Sequence, residues 1–326
     1  MTDSFSRREA LKAGAAAVAA GFIPAAFAQS DGTLKLVVTF PPGGSTDITA
    51  RILQPRLAEK AGRPVVVDNK PGAASQVGTQ FVAKSAPDGN TVLVCFDTHA
   101  INPIAKKSLP YDTFKDFTGV SLAVRFPLVI GAGASVPGKD LKEFLAAAKA
   151  APGKFSYAST GLGSMNHLVA EDLKRQANVD VLHVPYGGGG PAVQAVLSNT
   201  VSLTLLSYAA LKGNIAAGRI KPLAVTGTRR LADLPDVPTV GESGFPGFEA
   251  YSWIGIFAPS ATPAATVRKL TEDFQGALRH PDVSGKLTDA GFEVIASDGA
   301  ALDKYALEQF ERWSAFVKRA GLRMEE

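Results

Sequence analysis

Strand-like runs and helix-like periods alternate along this chain, break off, and then begin again, and no other feature restricts its fold as much. Leu34 to Phe40 reads as a buried strand, and Ile48, Ile52, Leu53 and Leu57 then mark one face of a helix that Pro55 should bend. Pro64 to Asp68 follows as a strand, Val77 to Lys84 as a short helix and Thr91 to Phe96 as a third strand. This β-α-β-α-β order implies a parallel sheet with right-handed crossovers, an α/β fold. The alternation restarts with a helix on Leu141, Phe144, Leu145 and Ala148. Strands at Lys154 to Ser159, Val179 to Val184, Val201 to Leu206 and Lys221 to Thr226 come next, with helices at Ser164 to Gln176 and Pro191 to Leu197 between them. A second α/β lobe is the economical reading. Leu234 to Phe248 is rich in Pro and Gly and reads as a loop; Tyr251 to Ala258 returns to strand. A final helix, Ala300 to Ala320, starts after Ser297-Asp298, stops at Gly321 and carries Ala306, Phe310, Trp313 and Val317 at helical spacing.

The first 28 residues read as an export signal rather than as part of the fold. Ser6-Arg7-Arg8-Glu9-Ala10-Leu11-Lys12 is a twin-arginine pattern, followed by the apolar run Ala13 to Phe27 and the small-x-small site Ala26-Phe27-Ala28. That run falls short of the roughly 20 residues a membrane span requires. Cleavage would leave 298 of the 326 residues, beginning near Gln29 and enough for two lobes with a core each. No later window holds 18 uninterrupted apolar residues, so a soluble exported protein is expected.

Charge argues against nucleic acid as a partner. The chain holds 34 Lys/Arg and 30 Asp/Glu; the signal removes three and two, leaving a net charge of +3 with no basic stripe. The single cysteine, Cys95, can form no internal disulfide and reads as a small buried hydrophobe within Thr91 to Phe96.

Three strand-to-helix junctions carry small flexible residues: PPGGST (41–46), STGLGS (159–164) and PYGGGGP (185–191). A helix N-terminus presents unpaired N–H groups and about half a positive charge, and glycine lets a ligand approach that backbone. Each junction is a candidate anion seat. None supplies the lysine of a P-loop, and Gly161-Leu162-Gly163-Ser164-Met165-Asn166 lacks the last glycine of a dinucleotide fingerprint. Ordinary tight turns remain an alternative for any one of the three.

Catalytic patterns are weaker. There is no G-x-S-x-G elbow, and His99, His167, His183 and His280 form no H-E-x-x-H metal pattern. His167 on a helix and His183 in a strand read as structural histidines, and a role for Ser45 or Ser164 as a nucleophile beside one of them is disfavoured. No cofactor, metal or catalytic residue is expected.

With these residues in view, the chain resembles the Bug family, extracytoplasmic substrate-binding proteins associated with tripartite tricarboxylate transporters. The resemblance rests on FPPGGSTDITARIL, NKPGAAS, PDGNTVLV, THAINP and LPYD in the first third. It continues through STGLGSMNHL, HVPYGGGGPA, LADLPDVPTVGESGFPGFEA and WIGIFAPSATP. It implies a type II periplasmic-binding-protein fold, two α/β lobes joined by crossing strands, with a small carboxylate-bearing ligand in the cleft. The cleft residues it implies are Phe40, Pro42, Gly43, Gly44, Ser45 and Thr46 in the first turn and Asp97, Thr98 and His99 after the third strand. From the second lobe it adds Ser159, Thr160, Gly161, Gly163, Ser164, Tyr186, Gly187, Gly188 and Tyr208. Asp97 has two readings: a cap on the turn that follows, or a partner for an ammonium or amide group of the ligand.

The chain departs from the family pattern at several places. Ala74-Ser75-Gln76 stands where a glycine-rich turn is common, Gly187 where a Lys or Arg often follows the tyrosine, Ser202 where an acidic residue is frequent, and Ala10 where a twin-arginine signal favours Phe. The crossing strands are expected near Val120 to Ala132 and Phe248 to Ala258. Lobe 1 would then comprise residues 29–124 plus 253–326, and lobe 2 residues 125–252. The function so implied is capture of a small organic acid between closing lobes in the periplasm and delivery to transporter subunits, by a monomer. A periplasmic receptor that reports the acid to a signalling system is the alternative, and an enzyme of the same fold comes third.

Overall fold

The computed structural model describes residues 32–324, so the export signal expected over residues 1–28 lies outside the described residues. β1 (Leu34–Val38), α1 (Ser45–Ala61), β2 (Val65–Asn69), α2 (Gln76–Ala83) and β3 (Thr91–Phe96) follow the order read from the sequence. β1 pairs in parallel with both β2 and β3, as β-α-β connections dictate. α1 buries Ala50, Leu53 and Leu57 against this sheet and runs unbroken through Pro55, which sits on its exposed face. α3 (Thr98–Ala105) then leads to the long strand β4 (Phe117–Gly133).

β4 belongs to two sheets. Its first part, Phe117 to Pro127, pairs antiparallel with β9 (Tyr251–Pro259), which in turn pairs with β3. Its second part, Leu128 to Gly133, lies between β7 (Leu203–Ser207) and β8 (Ile220–Val225). β7 continues in parallel to β5 (Phe155–Ser159), and β5 to β6 (Val181–Pro185). The first sheet is completed by β10 (Glu293–Val294) on β4. The second lobe's helices are α4 (Leu141–Ala150), α5 (Met165–Ala177), α6 (Gly189–Leu197) and α7 (Tyr208–Ala216). α8 (Ala264–Leu278), α9 (Pro281–Asp289) and α10 (Gly299–Ala320) return to the first sheet, where α10 packs on β4 and α3. The fold is two α/β lobes on a shared strand.

The return crossing is shorter than expected. Phe248 to Ala250 are not strand; Thr226 takes the place of a ladder there, its hydroxyl donating to the Ala250 carbonyl at 2.7 Å and accepting from the Leu128 amide at 2.8 Å. Its backbone exchanges bonds with Leu128 and Ala250 as well, so one buried threonine fastens both crossing segments. Among the described residues, no helix is long and apolar enough to cross a membrane.

Helix ends follow local chemistry where it is strong. Asp140 and Asp298 cap α4 and α10 by accepting from Glu143 and Ala301 amides at 2.9 and 2.7 Å, and Gly321 closes α10 in a left-handed conformation.

Candidate functional site

The three glycine turns lie at the N-termini of α1, α5 and α6, and none of these helices is closed by a side-chain cap. Apart from the His167 amide of α5, which donates to the Asn166 side-chain oxygen at 3.1 Å, the first-turn amides of these helices have no partner within their own helix among the described residues. The first turn is rigid for a definite reason. Asp47 of α1 accepts from the Gly43 amide at 2.9 Å, from Arg51 at 2.9 Å and from Asn69 at 3.0 Å; Asn69 also holds the Phe40 carbonyl at 3.1 Å. Burial alone would raise the Asp47 pKa, but Arg51, Gly43 and Asn69 together hold it below the usual carboxylate value. Gly43 is left-handed (φ +84°) with its amide committed to Asp47, and the Gly44 amide faces the Pro41 carbonyl at 3.4 Å, so the amides that α1 can offer begin at Ser45. Pro42 and Gly43 are exposed, Phe40 and Gly44 half-buried.

The first turn meets the second lobe through Ser45. Its hydroxyl lies 2.8 Å from that of Ser207, both buried, and Ser207 is the N-cap of α7, accepting from the Ala210 amide at 3.3 Å. The next residue, Tyr208, packs on Gly291, where a Cβ would come within 3.1 Å of its ring. Lys212 of α7 donates to the Asp289 carbonyl at 3.0 Å and pairs with Asp233 at 2.9 Å. Residues of both lobes thus touch along one seam. Thr46 and Thr98, on the first-lobe side, have buried hydroxyls that lack a partner among the described residues, as does Thr39 just after β1.

The second turn is the most densely bonded. Ser159 binds its own turn twice, to the Gly161 amide and carbonyl at 3.1 Å each, and lies 2.6 Å from His183 Nε2. The Ser164 hydroxyl lies within hydrogen-bond reach of both the Gly161 carbonyl, at 2.6 Å, and the Asn166 side-chain oxygen, and its one hydrogen serves one of them at a time. Asn166 also accepts from Thr160 and anchors the turn to β7 through the Leu205 carbonyl at 3.1 Å. The Gly163 amide donates to His167 Nδ1 at 3.1 Å. Gly163 is left-handed (φ +77°), and a Cβ on it would overlap the Cβ of Ala105 on α3, in the other lobe. In the third turn, Tyr186 is half-buried with its amide on the Ser159 carbonyl, Gly187 is exposed, and Gly188 is buried with φ +142°. Space is open around Gly187 and Gly188.

The surroundings of two expected cleft residues, His99 and Asp97, differ from those read from the sequence. His99 is 1% exposed, with its ring among Tyr111, Phe117 and Phe257 and both nitrogens without a partner among the described residues; burial pushes its pKa down to about 3. Its ring is packed into the aromatic core of lobe 1. Asp97 precedes α3, but its side chain makes no capping bond; it accepts from the Ser252 hydroxyl on β9 instead. The carboxyl is 3% exposed, and burial raises its pKa to about 7. The capping reading is therefore corrected, and Asp97 is engaged with the crossing strand.

The seam's partners were not visible from the sequence. Ser207 and Ala105 carry no local signal of their role, and only their contacts with Ser45 and Gly163 give them one. A hollow of about 700 Å³ opens elsewhere, between α4 and α5, and shares no wall residue with the three turns.

Comparison with known proteins adds the family. A profile described as tripartite tricarboxylate transporter family receptor matches residues 49–322. The protein BugT of Bordetella pertussis is 31% identical over 90% of this chain and 90% of its own length. An R. palustris protein solved with adipate is 32% identical, covers 90% of this chain and 98% of its own, and superposes with a TM-score of 0.86. MatC of Rhodopseudomonas palustris, solved with bound malate, is 33% identical over 87% of this chain and 98% of its own, with a TM-score of 0.80.

Proposed function

The chain belongs to the tripartite tricarboxylate transporter receptor family, the Bug family, and from that premise we propose that it captures a small organic acid between its lobes in the periplasm and hands it to a membrane transporter. The observation that carries this reading is that helix starts without side-chain caps occur in both lobes, which touch at Ser45–Ser207 and Gly163–Ala105. α1 on one side and α5 and α6 on the other offer amides and hydroxyls, with Ser45 and Ser207 in contact between them. A carboxylate is the chemistry that such donors satisfy. Neutral dipoles bind it without a full ion pair, so the acid can leave when the lobes part. Relatives solved with adipate and malate support a dicarboxylate in particular. The unpartnered hydroxyls of Thr46 and Thr98 are candidates to complete its shell, directly or through water.

Mass spectrometry of the small molecules released by denaturing the purified protein tests this directly. A stoichiometric carboxylic acid is expected, and titration calorimetry with malate, adipate and their homologues should then rank the class. A neutral or cationic metabolite at full occupancy would overturn the assignment. Loss of uptake of that acid on deletion of the protein tests delivery to a transporter.

A further inference from the structure

His167 and His183 stand directly beneath the second turn, with ring centroids 4.1 Å apart and planes within 24° of parallel. Each holds one end of that turn. His183 Nε2 meets Ser159 Oγ at 2.6 Å, and His167 Nδ1 meets the Gly163 amide at 3.1 Å. The second contact has only one proton arrangement. A backbone N–H can only donate, so His167 Nδ1 must be the lone-pair nitrogen and the ring must be neutral with its hydrogen on Nε2. Gly163 in turn is the residue whose backbone abuts Ala105 of the opposite lobe, with no room for a side chain. A chain of direct contacts therefore runs from the His167 lone pair through Gly163 to the seam.

We propose that His167 is a proton-sensitive positioning residue: its neutral ring holds Gly163 and the second turn in the closed arrangement, and protonation at Nδ1 releases that turn and loosens the cleft. A protonated Nδ1 is itself a donor and would face the Gly163 N–H donor to donor. A second charge on the stacked His183 would be repelled at about ring-contact distance. The groups that face the pair are Tyr157 of β5, stacked on His183 at 5.0 Å, and Glu171 and Lys174 of α5. Glu171 is already satisfied by Tyr157 and Lys174, each at 2.7 Å, and its pull toward a charged ring is opposed by Lys174. Burial dominates, and both histidines are pushed down to about 4. The turn is accordingly fixed at neutral pH and slackens only as pH falls toward that value.

The role in ligand release rests on the function proposed above; the fastening of the turn does not, and the test separates them. Amide exchange of the segment containing Gly163 is followed by mass spectrometry in the ligand-free protein from pH 7.5 to 4, corrected for intrinsic exchange, with β3 as the folded reference. Protection of the turn should fall at least tenfold on approach to pH 4 while β3 stays protected. His167→Asn should keep the turn protected across the range, because its side-chain oxygen can accept the same N–H and does not titrate. His167→Leu should leave it unprotected at every pH. Uniform protection of the wild-type turn down to pH 4, or a protected turn in folded His167→Leu at pH 7.5, would overturn the proposal. If either substitution prevents folding, the wild-type profile alone decides. Malate and adipate affinities are measured in parallel: between pH 6.5 and 4 the wild type should lose about twofold more affinity than His167→Asn, because half of the His167 rings are charged at pH 4 and the ligand's own protonation is common to both proteins. Failure of both acids to bind at pH 7.5 with the exchange result intact would count against the ligand assignment only.

Discussion

The hydroxyls of Ser45 and Ser207 lie 2.8 Å apart, buried to 6% and 5% exposure, although 162 residues separate them in the chain. One starts α1 in the first lobe and the other caps α7 in the second, so this bond can exist only when the lobes are together. Ser45→Ala should weaken closure by about 1 kcal/mol, the usual net value of such a bond, and raise the radius of gyration of the ligand-free protein in solution scattering. Ser45 is the better choice because Ser207→Ala would also remove the α7 cap. An unchanged radius in Ser45→Ala would mean that the bond forms without contributing to closure.

Gly163 gives a sharper test, because steric exclusion adds to conformational strain. Ala at this position must hold φ near +77° and overlap the Cβ of Ala105 across the seam. Gly163→Ala should therefore lower ligand affinity by at least tenfold through impaired closure, with the lobes themselves folded. Ala105→Gly should restore part of the loss by removing the opposing methyl. Calorimetry on the single and double substitutions measures both effects, and no recovery in the double variant would assign the loss to backbone strain alone.

The sheet order was legible from the sequence because period-2 and period-3.6 patterns alternate cleanly in β1 to β3 and again in α4 to β8. α3 was not, since Pro103 inside it and polar Thr98, His99 and Asn102 conceal its buried face. α8 was overlooked although Leu270, Phe274, Ala277 and Leu278 mark a buried stripe, and Pro263 stands just before its first residue. Turns announce themselves locally through glycine, so all three candidate seats could be found. Their partners could not, because Ser45 with Ser207 and Gly163 with Ala105 meet only through the path of β4. The surroundings of His99 were hidden for a related reason: a histidine in an aromatic cage and one in a cleft carry the same local sequence.

Ala73, Ala74 and Ser75 are consecutive non-glycine residues with φ of +47°, +52° and +80°. The family pattern commonly has a glycine-rich turn at Ala74-Ser75-Gln76, and here the backbone is left-handed at Ala74 and Ser75 without glycine. The Asn102 side chain holds the Ala74 carbonyl at 2.9 Å, which fixes the turn beside α3. A left-handed alanine costs roughly 1 kcal/mol. Ala74→Gly should therefore raise stability, less the extra freedom glycine has when unfolded, and urea denaturation should show a higher midpoint with unchanged slope. A lower midpoint would mean that the turn carries no such strain.

Asp97 and Ser252 make the last prediction, on pH. Burial raises the Asp97 pKa to about 7, whereas the unfolded chain should titrate near the ordinary value of about 3.9. Between these two values the folded protein binds more protons than the unfolded one, so stability attributable to this group falls as pH rises through the window. It is fully present below about pH 4 and lost once pH passes 7, where a buried carboxylate must carry charge. Asp97→Asn removes the titration while its side-chain oxygen can still accept the Ser252 hydroxyl. Its amide group faces backbone donors and adds a cost, but one that does not change with pH. The stability difference, variant minus wild type, should therefore rise from pH 4 to pH 8 by about 2–4 kcal/mol, whatever its absolute level. Chemical denaturation of both proteins at half-unit steps measures this curve. A flat difference would show that Asp97 ionises normally, and that Ser252 and the nearby Trp253 and Thr98 amides offset the whole cost of burying its charge.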